Sequence, residues 1–426
     1  MKITKEDARR FVISKQCFQF PQSDVSKEQV FRVLKALGCV QIDTINVVER
    51  SHYLVFWSRL GNYRKEFLDQ LLHPDRKVFE YWAHAASIIP IEHYRYFLHA
   101  MKQRQKQTQN NIRRFLKGKA SLLDTVLKEI KRNGPVCSKD FKTEIKQKRK
   151  EPSGWWNWKP AKIALEILYD SGILMVSRRE KFQKYYDLAE NVLPSRVDTS
   201  EPTEKERQRF FLEKTLEAWG ITEPKDIGYY FYAWSTKTNV GAKALSSLTK
   251  ELEKEDIIST VHVEGYSKPC LMLSRESENL EKIIDTKEQN AISFVSPFDN
   301  LTWGKPRMRK LFDFHTPLET YIPKATRKFG YYTLNILHNN QLVGRLDPKM
   351  HRDKATLEIK TLELKKGFKP TREFKEQFPL VLGDFMKFHN AETVKIPENC
   401  RQLTKNAKHI WKRSREACTL SHRTET

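Results

Sequence analysis

The sequence lacks several features that would assign a protein to a class directly. Its six cysteines are scattered, with no C-x-x-C pair and no paired Cys/His spacing, which argues against a disulfide framework, a zinc site or any other metal centre. It has no apolar run of about 18 residues, and the first residues, "MKITKEDARRFVISKQ", lack the apolar core of a signal peptide. We therefore expect a cytoplasmic protein with no membrane segment, no metal and no cofactor.

Acidic residues are too few to balance the basic ones. There are 77 Lys and Arg against 53 Asp and Glu, which gives a net charge of +24 and an isoelectric point near 9.6. Such an excess suggests a polyanionic partner, and double-stranded DNA is the first candidate. Nothing in the sequence resembles a dimerisation heptad, so we expect a monomer.

The chain begins with alternating helical and extended patterns. In "SKEQVFRVLKAL", Ser26 is a plausible N-cap and the apolar residues follow helical spacing. "GCVQIDT" alternates like a short strand, and "KVFEYWAHAASIIP" predicts further extended segments. "EHYRYFLHAMKQRQKQTQNNIRRFLK" predicts one long basic helix, after which the first unit ends.

The next stretch predicts three helices followed by a hairpin, the order of a winged helix. A helix breaks at Gly134-Pro135, Ser138 caps a second, and Gly172 ends a third. Two strands then flank a charged turn at Arg178–Lys181. The same order of three helices and a hairpin recurs once more after this unit. The opening segment of the chain is a possible further copy.

After about residue 290 the sequence becomes rich in strands, with a hairpin turn at His338–Gln341. We expect an α+β fold of tandem winged-helix (helix-turn-helix) domains with a C-terminal β-barrel-like domain, a closing helix and a basic tail. The predicted domains are residues 1–118, which carry the Gln-Ile-Asp motif, 119–196, 197–288 and 289–426.

The motif Gln41-Ile42-Asp43 is the sharpest local signal for chemistry. On a strand, the amide and the carboxylate face one side and could hold a water, with Asp43 accepting its proton and Gln41 orienting it. Asp43 could also stabilise a cationic sugar transition state. From the residues alone, exposed strand side chains or a helix N-cap at Asp43 or Thr44 are the favoured interpretation, and the catalytic one stays open as the alternative.

Other candidate residues also have structural alternatives. The tryptophans of "PSGWWNWKPAK" form either a base-stacking platform or, as we prefer, a core that pins the third helix of the second unit. Lys159 and Lys162 beside them, and Arg178 and Arg179 of the predicted wing, are candidate phosphate contacts.

The histidines His84, His93 and His99 lie on different predicted elements, which favours core or surface positions over metal ligation.

Seven stretches in one order, from about residue 40 to residue 352, resemble the YcaQ branch of the AlkZ-like DNA glycosylases. They include "VQIDTINVVERSHYLVFWSRLGNY", "FEYWAHAASIIP", "VSPFDNLTW", "LETYIPKATRKFGYYTLNIL" and "VGRLDPKMHR". The resemblance implies three winged-helix units and a β-barrel around a basic channel, with base-excision activity. The family's catalytic motif is Gln, an apolar residue, then Gln or Asp, which here corresponds to Gln41, Ile42 and Asp43.

The Gln–apolar–Asp form resembles the branch that acts on N7-alkylated purines and on crosslinks through guanine N7. The resemblance thus implies a monofunctional glycosylase. Asn46, Arg50 and His52 follow the motif, and they either contact the lesion strand or form local structural hydrogen bonds. Two rival hypotheses are a winged-helix DNA binder without catalysis, such as a transcription regulator, and a protein that binds structured RNA.

Overall fold

The computed structural model describes residues 1–18, 24–116, 120–141, 160–231, 242–285, 291–398 and 403. The fold is mixed α+β. Four predictions from the sequence lie wholly or mostly outside the described residues: the second helix of the second unit, the tryptophans at 155, 156 and 158, Lys159, and the basic tail.

Helices and strands are interspersed through the described residues. The α-helices are α1 (Lys5–Lys15), α2 (Lys27–Leu37), α3 (Ser51–Leu60), α4 (Glu66–Leu72), α5 (Tyr94–Lys106), α6 (Thr108–Phe115), α7 (Ser121–Asn133), α8 (Pro160–Asp170), α9 (Ala189–Val192), α10 (Glu204–Trp219), α11 (Ala242–Lys254), α12 (Ser277–Asp285), α13 (Lys305–Phe312) and α14 (Arg372–Phe388). The strands are β1 (Lys2–Ile3), β2 (Val40–Gln41), β3 (Val78–Trp82), β4 (Ala86–Pro90), β5 (Leu174–Glu180), β6 (Gln183–Leu188), β7 (Ile258–Val263), β8 (Cys270–Leu273), β9 (Ile292–Val295), β10 (Leu334–His338), β11 (Gln341–His351), β12 (Thr356–Leu364) and β13 (Thr393–Lys395).

The predicted limits of α2 are confirmed, and the reason is local. The Ser26 hydroxyl accepts a hydrogen bond from the Gln29 amide, and the Gln29 side chain accepts one from the Ser26 amide, which completes a capping box. Gly38 ends the helix in the left-handed conformation, which costs glycine little. The hairpin turn between His338 and Gln341 is likewise confirmed, since these residues pair across β10 and β11.

Two predictions placed a chain reversal or a helix incorrectly. The hairpin of the second unit turns at Lys181 and Phe182, both with positive φ, because Arg178–Glu180 continue the strand β5. The long basic helix is two helices, α5 and α6, which meet at Gln107. Charge clusters and helical spacing did not reveal these breaks.

Three segments of the chain repeat one order of elements, in which a helix is followed by a short strand or bridge, a further helix or helices and an antiparallel hairpin. In the first, β2 pairs with β4 of the β3–β4 hairpin. In the second and third, the bridges Val136–Tyr186 and Thr222–Leu271 join the residues after α7 and α10 to the second strand of the hairpins β5–β6 and β7–β8. In the described residues, helices precede an antiparallel hairpin as the sequence analysis predicted, while the full winged-helix order and the domain boundaries stay predictions.

The first helix of the chain packs on the third repeat. Strand β1 runs parallel to β7, with Lys2 opposite His262. Helix α1 buries Phe11 and Val12 in a cluster with Val261 of β7 and Leu311 of α13. The N-terminus of the chain is therefore anchored by elements that are distant from it in sequence.

The C-terminal sheet is open, so the predicted barrel-like closure is wrong for the described residues. Its order is β13-β12-β11-β10-β9, with β9 and β13 at the edges. Helix α14 packs on the sheet, where the rings of Phe378 and Phe385 lie 5.8 and 5.4 Å from that of Phe294 in β9. At the β9 edge, the Ser293 hydroxyl donates to the Ser58 carbonyl of α3 at 2.7 Å. Helix α14 covers the sheet and α3 shields its β9 edge, so the sheet is protected without closing into a barrel.

A buried ion pair joins α3 to the segment after β9. The Arg59 guanidinium donates two hydrogen bonds to the Asp299 carboxylate, of 2.7 and 2.9 Å, and both side chains are fully buried. The Nε of Arg59 donates to the backbone carbonyl of Gln16 at 2.7 Å. The side-chain amide of Gln16 in turn donates to the backbone carbonyl of Ala218 at 2.5 Å. The charge is thus compensated and its donors are used, which a buried arginine requires.

Replacing Asp299 by alanine should leave the Arg59 charge buried without its partner. We expect Asp299→Ala to lower the free energy of unfolding by about 3–5 kcal/mol, measured by urea denaturation. Glu376→Ala is the matched control, because it removes an exposed ion pair with Arg372 and should leave the midpoint unchanged. Equal midpoints for both variants would contradict the structural role of the buried pair.

Candidate active site

The motif Gln41-Ile42-Asp43 lies where the sheet of the first repeat ends. Gln41 is the last residue of β2, and the Ile42 amide still donates to the Ala86 carbonyl at 2.7 Å. Asp43 lies beyond the strand, and its Oδ1 accepts a hydrogen bond of 2.7 Å from the Ile45 amide. This turn fixes one carboxylate oxygen while the side chain stays partly exposed.

The loop after the motif is held by the far end of the C-terminal sheet. The Arg352 guanidinium donates to the Asn46 side-chain oxygen at 2.8 Å and to the Val48 carbonyl at 2.9 Å. The Met350 amide donates to the Val47 carbonyl at 3.0 Å. The loop has no regular secondary structure of its own, so these contacts determine its course.

Two tyrosines from the segment before β10 lie within electrostatic range of Asp43. Burial raises the pKa of the Asp43 carboxyl above its ordinary value, and the hydrogen bond from the Ile45 amide partly offsets this. Burial is the main cause that raises the pKa of Tyr321, and the negative charge of Asp43 is the second. Burial also raises the pKa of Tyr332, to which the Asp43 charge contributes as well. The carboxylate therefore borders the C-terminal sheet domain as well as the first repeat.

The tip of the second hairpin docks beside the start of α3. The Arg50 guanidinium lies 4.0 Å from the centre of the Phe182 ring, and the His52 ring stacks on the same phenyl group at 5.9 Å. Arg179 of β5 lies 4.3 Å from the centre of the same Phe182 ring and forms a two-pronged ion pair with Glu80, at 2.5 and 2.7 Å. Three of the predicted DNA-contacting residues, Arg50, His52 and Arg179, are thus brought together around one aromatic side chain.

The environment of His52 keeps its ring neutral. Burial lowers the pKa of His52 to about 3, and the positive charges of Arg179 and Arg50 act in the same direction. The side chain is buried, and its ring faces Phe182 and Tyr53. In this position, His52 can support its neighbours without carrying charge.

Two further predicted DNA contacts, Arg178 and Lys162, lie elsewhere in the second repeat. Arg178 is half-buried on β5, where it donates to Glu180 at 2.8 Å and lies 4.4 Å from the centre of the Tyr185 ring. Lys162 is half-buried on α8. Lys159 lies outside the described residues.

The histidines that were considered as metal ligands lie apart from one another. The His84 ring stacks on Trp303 at 3.9 Å, and His93 packs edge-on against Phe210 at 4.9 Å. In the part of the chain that the structure describes, no group of three or more His, Cys, Asp or Glu residues is placed to hold a metal ion. Among the helices of the described ranges, none is long and apolar enough to cross a membrane.

Arg352 and Tyr321 are candidate site residues that the sequence analysis did not single out. Arg352 is 306 positions from its partner Asn46, and no local pattern links the two. Both residues do lie in stretches that carry the family resemblance, "VGRLDPKMHR" and "LETYIPKATRKFGYYTLNIL". That resemblance was the available signal.

The basic charge, the repeated helix–hairpin units and the partly exposed carboxylate at their border are features expected of a DNA-acting enzyme. A family model described as DNA glycosylase AlkZ-like matches residues 34–374, and the chain belongs to this family. Among solved structures, it is similar to Streptomyces sahachiroi DNA glycosylase AlkZ, with a TM-score of 0.60 and 14% identity. That match covers 93% of this chain and 100% of the AlkZ chain, and it supports the fold.

Since its pKa is about 3, the His52 ring should stay neutral through the range in which an ordinary histidine gains a proton. We expect its Cε1–H resonance, observed by NMR on protein with ¹³C-labelled histidine, to stay at the neutral position from about pH 8 to about pH 5. The spectrum of His52→Gln identifies the resonance. A titration centred near the ordinary value would show that the Phe182 side of the ring is open to water.

Proposed function

We propose that this protein hydrolyses the N-glycosidic bond of N7-alkylated guanines in double-stranded DNA, including guanines joined in interstrand crosslinks. In base excision repair it would act as a monomeric, monofunctional glycosylase and leave an abasic site. The observation that carries the proposal is the Asp43 carboxylate, which is fixed through one oxygen, partly exposed and raised in pKa by burial. It also lies within the stretch that matches the glycosylase family.

The chemistry of the lesion suits a site built on one carboxylate. An N7-alkylguanine already carries a positive charge, so it leaves the sugar without a general acid. The transition state is an oxocarbenium-like sugar, which an adjacent anion stabilises. Asp43 would supply that anion and accept the proton of the attacking water, and Gln41 would orient the water. No lysine nucleophile is required, which is the basis for proposing a monofunctional enzyme.

The proposed DNA contacts follow from the repeats and the charge. We interpret the three helix–hairpin units as winged helices that bind the duplex through its phosphates, as the net charge of +24 favours. Lys159, Lys162 and Arg178 would bind phosphates. Asn46 and Arg50, which follow the motif, would meet the lesion strand.

Around Phe182, the aromatic contact would hold Arg50 in place for DNA. His52 and Arg179, both proposed for the same surface, would complete that cluster from either side of the ring. The ion pair with Glu80 fixes Arg179, so its share in DNA binding would come from the position of the wing as a whole.

Asp43→Asn should abolish most base release while it preserves the shape of the site. We expect the single-turnover rate on a duplex with one 7-methylguanine to fall about 10²–10⁴-fold, because the general base and the stabilising anion are both lost. Gln41→Ala should have a smaller effect in the same direction. Abasic sites are revealed by alkali, and a duplex with a nitrogen-mustard crosslink between guanines is tested in parallel.

Asp69→Asn is the matched control for this experiment. Asp69 is a carboxyl on the surface of the same repeat whose pKa is also raised by desolvation, and it accepts a hydrogen bond from Tyr53. Its variant should release base at the wild-type rate, and all variants should bind duplex as the wild type does. Loss of binding in parallel with loss of activity would count against a catalytic role, and tight binding without release would favour a DNA binder without catalysis.

The pH dependence of base release should carry the signature of Asp43. The carboxyl acts only when ionised, so the enzyme-dependent rate should decline as the pH falls through its pKa. Because burial raises that pKa, the midpoint should lie above the ordinary value of 3.8. Single-turnover rates at saturating enzyme, after subtraction of spontaneous depurination, measure it. A midpoint at or below the ordinary value would exclude Asp43 as the titrating group, and Asp69→Asn should reproduce the wild-type profile.

A further inference from the structure

An exposed apolar pair projects from the segment between α13 and β10. Tyr321 is 76% exposed and its neighbour Ile322 is 37% exposed. Among the large hydrophobic side chains that are exposed in the described part of the chain, these are the two that adjoin in sequence. Apolar side chains that a protein holds side by side in water commonly mark a binding surface.

The backbone that carries this pair is firmly held. The Glu319 carboxylate accepts hydrogen bonds from the amides of Lys328, Phe329 and Gly330, of 2.8 to 3.2 Å. The Thr320 hydroxyl donates to the Tyr331 carbonyl at 2.9 Å. The loop is therefore closed on both sides of Tyr321 and Ile322, and their exposure is built into the fold.

The end of the same loop is tied to the candidate active site. The carboxylate of Asp347 accepts hydrogen bonds from the amides of Tyr331 and Tyr332, at 3.1 and 3.0 Å. The Tyr332 hydroxyl lies 3.2 Å from the Ser296 hydroxyl, which bonds at 2.8 Å to Ser51, the first residue of α3. These hydrogen bonds tie the end of the loop to the start of α3, and the Asp43 charge raises the pKa of Tyr321, so the exposed pair lies within electrostatic range of the carboxylate.

The charges around the pair favour nucleic acid as its partner. Lys324 is exposed two residues after Ile322. The Arg327 guanidinium donates to the Ile322 carbonyl at 2.8 Å and lies 4.7 Å from the centre of the Tyr331 ring. An apolar tip with cations behind it matches a base stack bordered by phosphates.

We infer that Tyr321 and Ile322 form a wedge that enters the duplex at the lesion and separates the alkylated guanine from its neighbour. Tyr321 stacks on the neighbouring base, Ile322 fills the gap, and the sugar of the lesion is displaced toward Asp43. The inference rests on the proposed function. It explains how a crosslinked guanine, which cannot turn into a closed pocket, is still brought to the carboxylate.

The test combines base release with a direct probe of unstacking. A duplex carries 7-methylguanine with 2-aminopurine as the adjacent base, whose fluorescence rises when it loses its stacking partner. The wild type and Asp43→Asn should both raise the fluorescence, although only the wild type releases base. Tyr321→Ala should still bind the duplex through the phosphate contacts, give no rise at saturating protein, and release base about 5- to 100-fold more slowly, in line with the loss of one aromatic–base stack.

Three further variants isolate the wedge from general effects. Tyr321→Phe should give both the rise in fluorescence and base release, because the aromatic ring and not the hydroxyl stacks on the base. Tyr229→Ala removes another exposed tyrosine, 45% exposed on the third repeat, and should behave as wild type. Ile322→Ala should reduce the rise in fluorescence and the release rate together.

The outcomes separate this inference from the proposed function. A wild-type rise in fluorescence and wild-type release by Tyr321→Ala would overturn the wedge and leave the glycosylase standing. A rise that depends on Tyr321 without base release by the wild type would support the wedge and overturn the proposed function.

Discussion

The bidentate pair between Arg59 and Asp299 determines how the remote parts of this chain meet. Through Gln16, the Arg59 network also reaches the carbonyl of Ala218 at the end of α10. One side chain of α3 thus connects the N-terminal helix, the third repeat and the segment after β9. A buried guanidinium tolerates few alternative arrangements, because any shift leaves a charge or a donor without a partner. The angle of α3 is fixed as a consequence.

That constraint acts directly on the candidate site, because α3 begins where the site lies. Its first turn carries Ser51, which bonds to Ser296, and His52, which stacks on Phe182. The loop between the motif and α3 is short and irregular, and Arg352 holds it from the opposite side. The site is therefore an intersection of three structural units, and neither the first repeat nor the sheet forms it alone.

The sequence analysis correctly predicted those features that depend on residues close to one another along the chain. The N-cap at Ser26 and the hairpin turn at His338 were predicted correctly because their signals are local. The open sheet was missed because its closure depends on what packs against β9 and on α14, which strand patterns do not report. Gln41 and Asp43 could be selected as a motif because they are two residues apart. The proximity of Tyr321 to Asp43 arises only in the folded chain.

A carboxylate in a strongly basic protein has a consistent physical explanation in this setting. The substrate proposed here is a polyanion with one cationic base, so a single anion at the point of reaction complements the lesion while the remaining basic surface binds phosphates. The influences on the pKa of Asp43 are burial and the Ile45 amide, which act in opposite directions. Burial keeps the carboxylate basic enough to accept a proton, and the amide holds its orientation. A cation paired directly with Asp43 would have removed both the basicity and the charge that an oxocarbenium-like sugar requires.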